Sequence, residues 1–212
     1  MTPPCEIDPL EARCAAIVRD GQGDAAHDVA HILRVVSTAR RLAVQENARL
    51  DVVVPAAWLH DCVTVPKDSP DRPRASRMAA AHAAGLLASW GLDPARVAEI
   101  AHAIEAHSFT AGIPPRTVEA RVVQDADRLD ALGAVGLSRC LMLAGALGKP
   151  LATPEDPFCE ARPPDDSRSA VDHFYTKLLG LAATMQTSTG RDEARRRTDF
   201  LQSFLAQLRS EL

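Results

Sequence analysis

The chain holds seven histidines: His27, His31, His60, His82, His102, His107 and His173. The most informative is in the doublet His60-Asp61, which closes the apolar stretch VVVPAAWLH and precedes a proline-rich segment. Adjacent helical side chains point about 100° apart. The two can therefore share a ligand only if a small ion sits close against the helix end. The plain alternative is an ordinary polar helix end, where an imidazole is favourable at the negative pole. His27 and His31 are spaced i, i+4 and share one face. Both can bind a metal, or one can bind while the other meets a substrate. Farther on, QDADRLDA sets Asp125, Asp127 and Asp130 within about one and a half turns. Close carboxylates repel unless a cation or a shared proton intervenes, and Arg128 or a metal would supply that charge. Without one, the run is a solvated acidic helix segment. Ile100, Ile104 and His107 follow one another at i, i+4, i+7, which continues a buried stripe onto His107. His102 is turned roughly 200° from Ile100 and is expected at the surface.

Helices must position these groups. Alanine, leucine and arginine favour helix throughout, and β-branched runs are short. Proline, aspartate and glycine punctuate about nine helices. Pro9 opens the first, which ends by Gly21. Asp24 caps a second that runs to about Asn47. Asp51 caps a third, with Pro55 in its first turn and an end near Val63. TVPKDSPDRP is a loop. A fourth helix runs from about Ala75 to Trp90, stopped by Gly91, and Asp93-Pro94 opens a fifth. Gly112 to Pro115 breaks the chain again. A sixth helix spans Val118 to about Leu132 and a seventh Ala134 to Leu147. Residues 148–166 form a long loop of the kind that is usually functional or mobile. Two helices complete the chain, about 168–185 and 190–210, the last with Leu201, Phe204, Leu205 and Leu208 on one stripe. The expectation is one all-α domain over residues 1–212. Its motif-bearing core covers about 24–135, and C-terminal helices of about 168–210 pack across it.

Composition narrows the function classes. The 212 residues are 46% apolar and 25% charged, enough for a sizeable core and a solvated surface. At 4% aromatic content an aromatic-lined single-strand platform is excluded, and a β-sandwich is disfavoured. A net charge of −4 gives no electrostatic footprint for a nucleic-acid polymer. No apolar run reaches the roughly 18 residues of a membrane span. MTPPCEIDPLEARC has none of the basic-then-apolar layout of a signal peptide. Five scattered cysteines (Cys5, Cys14, Cys62, Cys140 and Cys159) without a C-x-x-C pair point to a reduced, cytoplasmic protein.

Taken in order, H-D-x-x-H-I-L-R-V (His27 to Val35), L-H-D (Leu59 to Asp61) and Q-D-A-D-R-L-D-A (Gln124 to Ala131) resemble the HD-domain metal-dependent phosphohydrolase superfamily. K-D-S-P (Lys67 to Pro70), A-S-R (Ala75 to Arg77), A-I-x-A-H-S-F (Ala103 to Phe109) and H-F-Y-x-K-L-L (His173 to Leu179) extend the resemblance to a small, single-domain bacterial subgroup, over roughly residues 24–205. The resemblance implies one divalent metal held by His31, His60, Asp61 and Asp127. His31 rather than His27 matches the first ligand, because it stands three residues before Arg34-Val35. Asp125 is the fallback for Asp127. It also implies hydrolysis of phosphate or pyrophosphate linkages in a nucleotide.

Two imidazoles and two carboxylates suit manganese, iron, cobalt, nickel, zinc or magnesium, and no thiolate is suggested. Charge developing on phosphate oxygens needs cations, for which Lys67, Arg128 and Lys177 are candidates. His27 and His107 are candidates for contact with the substrate, and His107 for a second metal. Some relatives carry a glutamate three residues after the doublet to orient water. Thr64 stands there in this chain, so Asp68 is assigned that role. Arg191, Arg195, Arg196 and Arg197 form either a solvated face or a reach toward distal phosphates. The alternatives to a phosphohydrolase are a di-iron oxygenase on the same scaffold and a catalytically silent nucleotide-binding regulatory module. Oligomeric state is not legible.

Overall fold

The computed structural model describes residues 8–20, 29–63, 65, 69–108 and 110–212. Among these the chain forms nine α-helices, two 3-10 helices and no strand, which is the all-α class expected. It divides into two compact units, Met1–Ala126 and Asp127–Leu212.

The first unit is built around α3 (Leu50–Leu59), whose residues from Val52 onward are all buried. Against it pack α1 (Pro9–Asp20), α2 (Val29–Gln45), α4 (Ala75–Ser89) and α5 (Pro94–Ala106). On α2 the buried set Ile32, Val35, Val36, Ala39, Leu42 and Ala43 follows the helical period. That helix stops where Asn47 takes the left-handed conformation (φ 53) and Ala48 N–H returns to Ala43 O at 2.9 Å. Glu11 of α1 accepts from Trp58 Nε1 of α3 at 3.1 Å and pairs with Arg40 of α2. The fifth helix starts as its sequence predicts, with Asp93 accepting from Arg96 N–H ahead of Pro94.

Two expectations for α3 need correction. Asp51 is not its cap: Arg49 occupies that position, and the Asp51 carboxylate pairs instead with Arg49 and Arg96 at 3.1 and 3.2 Å. Pro55 lies inside the helix, beyond its first turn. A proline there removes the donor that Asp51 O would receive. Arg96 of α5 replaces it, with Nε at 3.1 Å and Nη2 at 2.9 Å from that carbonyl.

The helix α6 (Val118–Leu129) leads into the second unit, where α8 (Ala170–Thr176) and α9 (Ser188–Glu211) pack on a 3-10 helix, Leu178–Thr184, and α7 (Gly133–Ala146) packs on α8 and α9. The single helix expected over 168–185 is broken at Lys177 (φ −137, ψ −60). Leu178 and Leu181 are both buried at a spacing of three, which is the period of the 3-10 turn. The α9 stripe is as expected: Leu201, Leu205 and Leu208 are buried, and Phe204 stacks on Phe174 at 5.9 Å between centroids. The long segment between α7 and α8 is tied down by buried Asp172. Its carboxylate accepts from Arg162 Nη1 and Nη2 (2.5 and 2.9 Å), Ser169 Oγ (2.6 Å) and Asp165 N–H (2.7 Å). The Arg162 guanidinium above all holds this carboxyl well below the usual range. No single helix among the described residues is long and apolar enough to cross a membrane.

Candidate metal centre

His60 is the first residue beyond α3, and Cys62 N–H closes the turn on Leu59 O at 3.2 Å. The imidazole is fully buried, and Nδ1 stands 2.8 Å from Ala57 O. A carbonyl only accepts, so Nδ1 carries the proton and Nε2 presents a lone pair. His107 repeats the arrangement at the end of α5: it is buried, with Nδ1 at 2.6 Å from Ile104 O. The two rings are edge-to-face with centroids 4.9 Å apart. Half-exposed Asp61 spans them, with Oδ2 3.8 Å from His60 Nε2 and Oδ1 3.7 Å from His107 Nε2. One donor atom from each of the three lies within 4.8 Å of the others. The buried stripe inferred from Ile100 and Ile104 thus carries His107 to the doublet, as its spacing implies.

His31, half-buried on α2, brings its ring to 5.4 Å from that of His60, also edge-on. Around the doublet, then, the chain gathers three imidazoles and a carboxylate. Cys62 adds no thiolate, since burial pushes its thiol up to about 11. The donor set fits a borderline divalent cation, and the proton-bearing nitrogens are turned away onto backbone carbonyls, as metal-binding histidines require.

Gln124, the first residue of QDADRLDA, anchors α6 here: Nε2 donates to Ala106 O at 2.6 Å, the carbonyl just before His107. Sequence reasoning gave Gln124 no role, and its place in the motif was the only signal. Asp125 is fully buried, whereas Asp127 is half-buried on the last turn of α6, in the second unit. Asp130 is buried and paired with Arg139. Arg139 is thus one cation on that carboxylate, a partner that the sequence did not suggest beside Arg128 or a metal. Arg128 turns its Nη1 to Thr184 O at 2.7 Å, and Lys177 is exposed at the α8 boundary. His27, Lys67 and Asp68 lie outside the described residues. Arg72 was overlooked: its Nη1 donates to Val65 O at 2.8 Å. His102 is not at the surface. Its side chain is 10% exposed, Nε2 accepts from Arg116 N–H at 3.0 Å, and Nδ1 faces Glu105 at 3.2 Å. It staples the segment before α6 to α5.

The chain is similar to known proteins over most of its length. The HD domain family model matches residues 28–132, a span that contains His31, His60, Asp61, His107 and Asp127. The uncharacterized protein YpgQ of Bacillus subtilis (strain 168) is 34% identical over 190 residues, covering 88% of this chain and 84% of YpgQ. A crystal structure of YpgQ in complex with ADP is similar with a TM-score of 0.72 at 33% identity, covering 96% of this chain and 97% of that one. An HD-superfamily hydrolase from Bacillus thuringiensis gives a TM-score of 0.72 at 30% identity, over 95% and 94% of the two chains.

Proposed function

The chain belongs to the HD-domain phosphohydrolase superfamily, and on that premise we propose that it hydrolyses phosphate or pyrophosphate linkages of nucleotides with one divalent metal ion. The ligand set of this reading is His31, His60, Asp61 and Asp127, with manganese the first metal to try. The observation that carries it is the pair of buried imidazoles, His60 and His107, whose Nε2 atoms both face the Asp61 carboxylate. When bound, the ion supplies Lewis acidity toward a phosphoryl oxygen and toward water. The chain's own part is to hold the donors. His60 and His107 are fixed by their carbonyl bonds, and Gln124 keeps α6 against the end of α5. Half-exposed Asp61 leaves one side of the cluster open to solvent, where a substrate arrives.

Nucleotides are the proposed substrates because YpgQ, a third identical, crystallised with ADP. Lys67, Arg128, Lys177 and His27 are the proposed phosphate contacts, His107 lies between metal and substrate, and Asp68 orients the water. Residence in the cytoplasm fits Cys14, Cys62, Cys140 and Cys159, none of which is bridged.

The test is turnover by metal-stripped protein on a nucleotide panel with manganese, magnesium, cobalt, nickel or zinc restored. Release of phosphate or pyrophosphate that His60→Ala abolishes, with the helical fold retained, supports the reading. Undiminished release by that variant refutes it. One observation favours a second reading: His107 beside Asp61 offers donors for a second ion, as a di-iron oxygenase would need. Two irons per chain, with no hydrolysis under any metal, would select it. Tight nucleotide binding with neither metal nor turnover would leave the regulatory module.

A further inference from the structure

The last turn of α6 carries Asp127, and within the second unit three arginines tie this turn down. Arg128 donates to Thr184 O, Arg139 pairs with Asp130, and Arg197 Nη1 donates to Leu129 O at 2.6 Å. Leu129 closes α6, so its carbonyl has no partner of the helical i+4 kind. The chain's own contribution is a tightened return from Leu132 N–H at 3.1 Å. Arg197 comes to it from α9, and a cation there also meets the negative pole of α6.

The guanidinium is itself held. Arg197 Nε donates to Glu193 Oε1 at 2.7 Å, one turn back on α9. Its aliphatic stem lies over Gly133, where a Cβ would stand 3.2 Å from Arg197 Cγ. The Arg197 side chain is 20% exposed and that of Glu193 12%. Arg195 and Arg196, at 68% and 72%, pair along their own helix with Asp192 and Glu193. One arginine of the run is thus built into the fold while its neighbours lie on the surface.

We propose that Arg197, set by Glu193, is a positioning residue for the metal centre: it fixes the C-terminal end of α6 and with it the carboxylate of Asp127. The inference rests on Asp127 being a ligand. Ligating groups must hold their place to about 0.5 Å, and a helix end is where a chain frays first.

The experiment is calorimetric titration of Mn²⁺ into the metal-stripped full chain, with a thermal melt of each variant. Arg197→Met is expected to weaken Mn²⁺ binding roughly tenfold or more, the usual cost of losing a group behind a ligand. Arg196→Met removes the same charge from the same carboxylate, without a bond to α6, and is expected to bind as wild type. Folded Arg197→Met that binds Mn²⁺ as tightly as Arg196→Met overturns the proposal. Should Arg197→Met fail to fold, Glu193→Met decides, since it removes the acceptor that holds the guanidinium while nearly keeping the side-chain volume. Weakened Mn²⁺ binding in folded Glu193→Met supports the inference, and wild-type affinity overturns it. Asp127→Asn separates the two levels. Unchanged affinity there sinks the ligand assignment and the inference with it. Lost affinity there, with Arg197→Met unaffected, sinks the positioning role alone.

Discussion

Replacing Asp61 with alanine separates metal binding from folding more cleanly than any other change at the site. Its carboxylate is half-exposed and stands 3.7 and 3.8 Å from the two imidazoles, beyond hydrogen-bond length. Exposed pairs of this kind contribute about 0–1 kcal/mol, so the metal-free variant should melt within a few degrees of wild type. The metal-loaded proteins should differ far more. A ligand present at about 100 times its Kd stabilises the folded state by about 2.7 kcal/mol. For a chain of this size each kcal/mol moves Tm by about 2–4 °C, so Mn²⁺ should raise the wild-type Tm by roughly 5–10 °C. The assay is a melt of each protein with and without Mn²⁺, paired with turnover on the nucleotide panel. Asp61→Ala should show no Mn²⁺ shift and no turnover. A variant that keeps both would refute the assignment of Asp61. A variant that melts far lower even without metal would refute the claim that this carboxylate contributes little to the fold.

Other perturbations test the scaffold. Arg96→Leu leaves Asp51 O without its replacement donor, an expected cost of about 1–3 kcal/mol; the cost should shrink in a Pro55→Ala background, which restores the missing N–H, and an equal cost in both would refute the pairing. At Gly136 an added Cβ would lie 2.2 Å from the Ala131 carbonyl carbon and oxygen. Gly136→Ala should therefore cost about 3 kcal/mol or more by denaturant titration, and a near-neutral result would show that the turn after α6 is looser than described. The pairs with Arg196 and Arg197 hold Glu193 down to about 2. A depressed folded value means the stabilisation is present above the ordinary glutamate range near 4.5 and is lost as pH falls through about 2. The Tm gap between wild type and Glu193→Gln should accordingly be full at pH 7 and close near pH 2; a gap that widens on acidification contradicts the pairing.

Helix starts and stops were legible where each is a local event. Asp93-Pro94 caps and opens α5 with a bond to Arg96 N–H, three residues on. Gly91 ends α4 within the range read from sequence. The break at Lys177 was not legible, since Leu178 and Leu181 at a spacing of three satisfy an α-helical stripe as well as a 3-10 turn. His102 was misplaced for a related reason. Helical arithmetic gives a face, but the segment around Arg116 that covers this face comes from elsewhere in the chain. At the site, the motifs supplied the candidate donors, and the stripe from Ile100 to His107 put one more imidazole on a buried face. What spacing could not supply were pairings across longer separations: Gln124 to Ala106 O, Arg197 to Leu129 O, and Arg139 to Asp130.

The bonds from His60 Nδ1 to Ala57 O and from His107 Nδ1 to Ile104 O would bear on how tightly the proposed ion is held. In each case the ring is tethered to the helix that bears it, three residues back. Its rotamer and tautomer are therefore settled when α3 and α5 form, before any ion arrives. Immobilising a flexible side chain at the moment of binding costs about 0.5–1.5 kcal/mol. Of these two rings His60 belongs to the proposed ligand set, and its prior immobilisation would spare about 0.5–1.5 kcal/mol, equivalent to roughly 2- to 13-fold in dissociation constant. Half-exposed Asp61 would be the donor left to be ordered on binding.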